Sequence, residues 1–360
     1  MARRPGRPPP RALPEAEAVT EPETTTARES GGPDRIVAFA ARSLGSALRL
    51  SVRFPTGTEE RSAAEIANRA WTVVQAEFTA VDLALSRFRD DSELTMLNRI
   101  AGSEAVVPVS WRLRRALAAI DRAARVTGNR FDATVLGALE RIGEHGADLD
   151  QPSASASAGA PVISGTPGMR APGKRLVHVP PVPVDLGGIG KGLALRWASA
   201  AAVAALPPDA GLLLEAGGDI VCAGSPPAES WRIGVEDPVS PPSAKSPPLA
   251  VLDLRSGAVT TSSVRVRNWI GPDGRPVHHL VDPKTREPAR SGLLAVTVAG
   301  PDPAWAEVWS KALFVTGRES IGDLARARGL AAWWIDDRGR LGMTPEARIR
   351  TLWAREERLG

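Results

Sequence analysis

The sequence predicts an α+β fold on three observations. Two stretches in the N-terminal half repeat apolar residues at three- and four-residue steps, the period of an amphipathic helix. The C-terminal half breaks into short apolar runs separated by turn residues, which read as strands. The two kinds of segment do not alternate regularly, which argues against a doubly wound parallel sheet. With 360 residues and 43% hydrophobic content, the chain can bury a large core.

Residues 1–33 combine proline, glycine and charge with almost no large apolar side chains. Ordering such a segment is not offset by burial, so a disordered tail is expected, followed by one domain over 34–350. Arg3 and Arg4 evoke a twin-arginine export signal, but the apolar stretch such a signal needs is missing. From about 60 to 88, Ile66, Ala70, Val74, Phe78, Val81 and Leu85 mark one face of a long helix. A second helix has Ser110 as N-cap, Leu113, Leu117, Ile120 and Ala124 on one face, and Gly128 just past its end. Residues 151–175 are small and breaker-rich, which favours a flexible insertion between two lobes. Strands are expected at 211–215, 231–235, near 263–270 and at 293–299. A helix capped by Asp302, opened by Pro303 and stopped by Gly317 follows, then another over about 319–328, and the strand-like 331–335.

Composition excludes several functions. The 45 Lys+Arg against 41 Asp+Glu leave a net charge of +4, and the two signs are interspersed, so no nucleic-acid surface is implied. No run approaches the ~18 apolar residues of a membrane span, and no secretory leader is visible. A cytoplasmic protein without a membrane span is expected. Cys222 is the only cysteine, which rules out an intramolecular disulfide. Four histidines leave a histidine-rich zinc centre short of ligands, whereas a carboxylate-and-carbonyl metal site stays open.

The segment "VDLGGIGKGLALRWA", residues 184–198, places glycines and Lys191 immediately before an alanine- and leucine-rich run. It fits neither glycine-rich phosphate loop, because both G-x-x-x-x-G-K-[ST] and G-x-G-x-x-G fail on spacing. The physics survives without the motif. Glycines admit close backbone approach, the following helix N-terminus offers N–H groups to an anion, and Lys191 adds a positive charge. Taken alone, the stretch reads equally well as a tight turn with a solvated lysine.

Its companions are "SRFRDDSELTMLN" (86–98), "TGNRFDATVLGAL" (127–139), "EAGGDI" (215–220), "WRIGVEDP" (231–238), "VTTSS" (259–263), "HHLVDPKTREP" (278–288) and "WAEVWSKALFVTG" (305–317). In this order, over about 43–345, the series resembles the FAD:protein FMN transferase family, also called the ApbE family. The resemblance implies an ApbE-like, two-lobed domain with the flavin site between the lobes. It also implies transfer of FMN from FAD to a threonine or serine hydroxyl of a target flavoprotein, with magnesium as cofactor. Rival readings of the same site are a flavin-binding protein without transfer and an FAD pyrophosphatase that releases FMN and AMP.

By the same resemblance, Leu44, Phe88, Arg130, Phe131, Asp132, Asp185, Lys191, Thr261, His279 and Leu280 are expected at the cofactor. Gly188, Glu307 and Lys311 stand at the metal positions. His279, in the H-x-x-D-P pattern, is expected to be catalytic as a base or an orienting donor. His278 should face the other way if the segment is a strand. The chain departs from the family at Lys311, where threonine is common: an ammonium has no lone pair for a metal. Lys311 then either takes over the cation's role at the pyrophosphate or forms an ordinary i,i+4 pair with Glu307. Ser263 and Arg286 replace glycines, at a cost if φ is positive there. The family's acceptors carry D-x-x-[ST]-G-A-[ST]; in "DLRSGAVT" (253–260) Val259 occupies the acceptor position, so the segment reads as a strand. Trp305 and Trp309, one turn apart, are expected in the core.

Overall fold

A computed structural model describes residues 34–145, 176–240, 247–265 and 267–360. The expected tail at 1–33 and insertion at 151–175 lie outside the described residues. Eight strands form the main sheet: β1 (Arg35–Ser43), β2 (Ser46–Phe54), β3 (Gly211–Ala216), β4 (Asp219–Gly224), β5 (Gly257–Ser263), β6 (Leu293–Gly300), β7 (Ala331–Asp336) and β8 (Leu341–Met343). Their spatial order is their chain order, and every neighbouring pair is antiparallel. The fold is therefore an antiparallel meander with its other elements inserted into the connections, an α+β arrangement.

Strand alternation assigns the two faces of this sheet. Leu48, Leu50, Val52, Leu212 and Leu214 are buried beneath the helices α1 (Glu60–Leu85), α2 (Trp111–Thr127) and α3 (Gly190–Ala204). Farther along, Val296, Val298 and Ala332 are buried with Leu313 and Phe314 of α4 (Pro303–Thr316). On the opposite face, Val259, Ala295, Ala299 and Trp333 meet Trp231, Ile233 and Leu252. The latter belong to a three-stranded sheet of Trp231–Val235, Ala250–Leu254 and Thr351–Ala354. Three layers result: helices, the large sheet and the small sheet.

Locally encoded helix ends stand where the sequence marks them. Ser110 Oγ accepts from the Leu113 N–H at 3.2 Å, and Gly128 closes α2 at φ 61°. Asp302 accepts from the Trp305 N–H at 3.1 Å to open α4. Helix α1 stops at Leu85, short of 88. Trp305 and Trp309 pack against the hydrophobic clusters.

The run near 263–270 differs from the single strand expected. β5 ends at Ser263, and Asn268–Ile270 pairs instead with Pro276–His278 in a separate hairpin. The Asn268 amide donates to the Val264 and Arg265 carbonyls, at 2.9 and 2.6 Å, and so holds the intervening turn. Such a side-chain bond competes with strand pairing and leaves no mark in apolar periodicity. Similarly, 253–260 is not one strand: Ala250–Leu254 of the small sheet gives way to β5 of the large one, which opens at Gly257 with φ 109°. Thr351–Ala354, past residue 350, pairs with Ala250–Leu254.

Candidate active site

The loop after α2, the turn before α3, the 279–283 segment and α4 converge on one cleft. Phe131 is positioned when its N–H donates to Thr127 Oγ1 at 3.1 Å. Asp132 Oδ1 accepts from the Thr134 N–H at 2.8 Å and caps the short turn Ala133–Val135. The Asp185 N–H donates to the Ala133 carbonyl at 2.7 Å, tying this loop to the glycine-rich turn. Asp185 is fixed in turn by the buried Arg87, whose Nε lies 2.9 Å from Oδ1. Arg87 also approaches Glu144 at 3.1 Å, and Glu144 pairs with Arg267.

None of Gly187, Gly188, Gly190 and Gly192 has a positive φ. Close approach explains two of them. A Cβ on Gly188 would stand 2.8 Å from the Phe131 ring and 3.4 Å from Lys311 Cδ, and one on Gly192 would stand 2.5 Å from Ala304 Cα. The turn thus lets Phe131 and Lys311 close over Gly188, and lets α3 pack directly on the start of α4.

Two of the first three N–H groups of α3 are already engaged. The Gly190 N–H donates to the Leu186 carbonyl at 2.7 Å, and the Gly192 N–H donates to Glu307 Oε2 at 2.8 Å. A carboxylate from α4 is therefore the anion at this helix end. Lys191 also turns inward, with Nζ 2.5 Å from Asp219 Oδ2 and 3.3 Å from Glu307 Oε1. Burial alone would lower its pKa, but the Asp219 and Glu307 carboxylates outweigh burial and raise it.

Of the residues expected at the cofactor or metal, Arg130, Phe131, Asp132, Asp185, Gly188, His279, Leu280 and Lys311 line the cleft; Leu44, Phe88, Lys191, Thr261 and Glu307 do not. Leu44 sits in the β1–β2 hairpin at φ 49°, a conformation suited to that two-residue turn. Phe88 is 58% exposed, with the Arg87 guanidinium 4.2 Å from its ring centroid. Thr261 Oγ1 bonds Thr297 Oγ1 at 2.9 Å, while its N–H donates to Asp219 Oδ1 at 3.0 Å. Thr261 and Lys191 reach the cleft through a relay from Asp219 to Lys191, Glu307 and Lys311. Composition hid the partners that complete this site: Arg87 and Asp219 lie within "SRFRDD" and "EAGGDI", whereas Glu144 and Arg267 carry no pattern.

His279 Nδ1 lies 3.3 Å from the Arg267 carbonyl. A carbonyl only accepts, so we assign the proton to Nδ1 and the lone pair to Nε2. Burial, reinforced by the Arg267 and Lys311 charges, holds the imidazole well below its usual pKa, so it is neutral at pH 7. His278 points away and meets Phe314 edge-on at 6.0 Å. Arg286 does adopt the left-handed conformation, φ 59°, and its guanidinium reaches Asp132 at 3.3 Å and Thr134 Oγ1 at 3.0 Å. Ser263 has no positive φ.

The residues present do not form a magnesium site. Glu307 is 1% exposed, and its oxygens receive Lys191, Lys311 at 3.1 Å and the Gly192 N–H. Lys311 can only donate. Among the described residues, no three His, Cys, Asp or Glu side chains are grouped to hold a metal ion.

The α+β fold and this cleft, where Arg130, Arg267 and Lys311 stand among Asp132, Glu144 and Asp185 beside a neutral histidine, define a protein with a charged binding cleft. The chain belongs to the ApbE family, whose model matches residues 44–334. It is 27% identical to the FAD:protein FMN transferase of Salmonella typhimurium, over 88% of each chain. It is 30% identical to that of Treponema pallidum, over 82% of this chain and 85% of the relative. The crystal structure of the ApbE protein of Thermotoga maritima superposes with a TM-score of 0.73 at 26% identity, covering 88% of this chain and 99% of that one. No helix among the described residues is long and apolar enough to cross a membrane.

Proposed function

We propose that this protein transfers FMN from FAD to a serine or threonine hydroxyl of a target flavoprotein, forming a phosphoester and releasing AMP. One observation carries the reading: His279, with its Nε2 lone pair free, shares a cleft with Arg130 and Lys311. The relatives named FAD:protein FMN transferase, similar over most of their length, support it. In this reaction the acceptor oxygen attacks the phosphorus on the flavin side of the diphosphate. Its proton passes to His279 Nε2 as the bond to the bridging oxygen breaks, and AMP departs as a phosphate monoester. Lys311 and Arg130 balance charge on the phosphoryl oxygens, the task such transfers ask of a protein. Asp185, held by Arg87, and Phe131 position the nucleotide.

The acceptor in this reading is a separate protein carrying D-x-x-[ST]-G-A-[ST]. Val259 is 3% exposed and has no hydroxyl, which argues against self-modification at 253–260. Magnesium has no part in the scheme, because Glu307 keeps no oxygen free of a donor. Mixing the protein with FAD and an acceptor-motif peptide tests the proposal. A covalent FMN–peptide adduct by mass spectrometry is expected. Free FMN and AMP without adduct would indicate a pyrophosphatase, and intact bound FAD a flavin-binding protein.

A further inference from the structure

We infer that the cleft engages the ligand's diphosphate with an ammonium built into the chain, that of Lys311, and requires no divalent cation. The inference rests on the function proposed above and specifies how its charge is handled. Lys311 projects from α4 into the cleft, while Glu307, one turn earlier, lies beneath it at 3.1 Å. Glu307 is shared: Oε1 receives both Lys311 and Lys191, and Oε2 receives the Gly192 N–H. Each oxygen of this carboxylate already carries a donor, and an ammonium beside it repels an approaching divalent ion.

The same geometry suits an anion. Asp219 lies behind Lys191 at 2.5 Å, so Lys191 takes its main counter-charge from the sheet side. Glu307 then anchors Lys311 without enclosing it, since the lysine side chain keeps 18% of its surface open and its ammonium has further N–H groups to donate. Arg130 adds a second cation at the rim, where it donates to the Thr127 carbonyl at 3.1 Å. A fixed ammonium backed by a buried carboxylate costs no metal binding step and is already oriented, the property that favours electrostatic stabilisation of phosphoryl oxygens.

The test is FAD affinity, followed by flavin fluorescence in excess EDTA and in millimolar magnesium, with adduct formation measured in parallel. The expected result is an unchanged affinity and an undiminished adduct yield in EDTA. In EDTA, Lys311→Met should weaken FAD binding by about ten- to a hundredfold, the loss of one charge-assisted hydrogen bond. Affinity that rises at least about tenfold with magnesium, adduct formed only with magnesium, or a folded Lys311→Met variant that binds FAD normally in EDTA would each overturn the inference. The wild-type comparison needs no variant to fold. FAD binding without adduct in either condition would instead count against the transferase reading, leaving the affinity measurement to decide the role of Lys311.

Discussion

His279 shows how burial can keep an imidazole in its basic form. Burial disfavours the protonated ring, and the Arg267 and Lys311 charges add to that effect, so Nε2 stays unprotonated across neutral pH. Its replacement by alanine should lower transfer about 10²–10⁴-fold while FAD binding persists, measured by adduct yield and flavin fluorescence. Retained transfer would remove His279 from the reaction. The sign of the pH dependence follows from the lowered pKa: the base is present above that pKa and lost as pH falls through it. Transfer rate against pH should therefore have an acid limb below the ordinary imidazole value of about 6.5. In Lys311→Met, removal of one repelling charge should move the limb of the residual rate upward. A limb unmoved by that change would exclude Lys311 as a neighbour of the base.

Helices α3 and α4 meet where neither sequence element announces the other. Gly192→Ala would force a Cβ to 2.5 Å from Ala304 Cα and 2.7 Å from the Pro303 carbonyl, backbone atoms that cannot swing aside. Unfolding in urea should show a loss of about 1–3 kcal/mol. Gly190→Ala meets nothing within 4 Å, and alanine favours a helix by up to about 1 kcal/mol, so the paired variant should be neutral or stabilised. Equal losses would mean that helix packing is not what selects Gly192. The contrast marks what was legible in the chain. Ser110, Gly128 and Asp302 act on residues a few positions away, so capping chemistry was readable directly. The inward turn of Lys191 depends on Asp219 and Glu307, 28 and 116 residues distant, and a linear pattern cannot show that the lysine is already satisfied. The break before the hairpin at 268–278 was hidden for a different reason: the Asn268 amide acts only three and four residues away, but a side-chain bond of that kind leaves no mark in apolar periodicity. Family resemblance supplied half of the cleft lining, but Phe88 and Thr261 share its motifs without sharing its walls.

At the scale of the molecule, the Asp219–Lys191–Glu307–Lys311 relay joins β4, α3 and α4, so the charges behind the cleft also hold the helical layer to the sheet. Burial works against ionisation of Glu307, but the Lys191 and Lys311 ammoniums outweigh it and keep the carboxylate charged. Glu307→Gln would leave those two ammoniums facing each other without their shared counter-ion. Removing one partner of a buried pair costs about 3–5 kcal/mol, and partial exposure of both lysines, 28% and 18%, places this case towards the lower end. Urea unfolding of Glu307→Gln should show that loss in a single transition, since the relay spans layers and not one loop. Lys311→Met in the same background removes one of the repelling charges, so the double variant should be more stable than the sum of the single losses implies. A coupling of about 0.5–3 kcal/mol is the expected size for residues in contact. Strict additivity in that cycle would show that Glu307 and Lys311 are not energetically coupled.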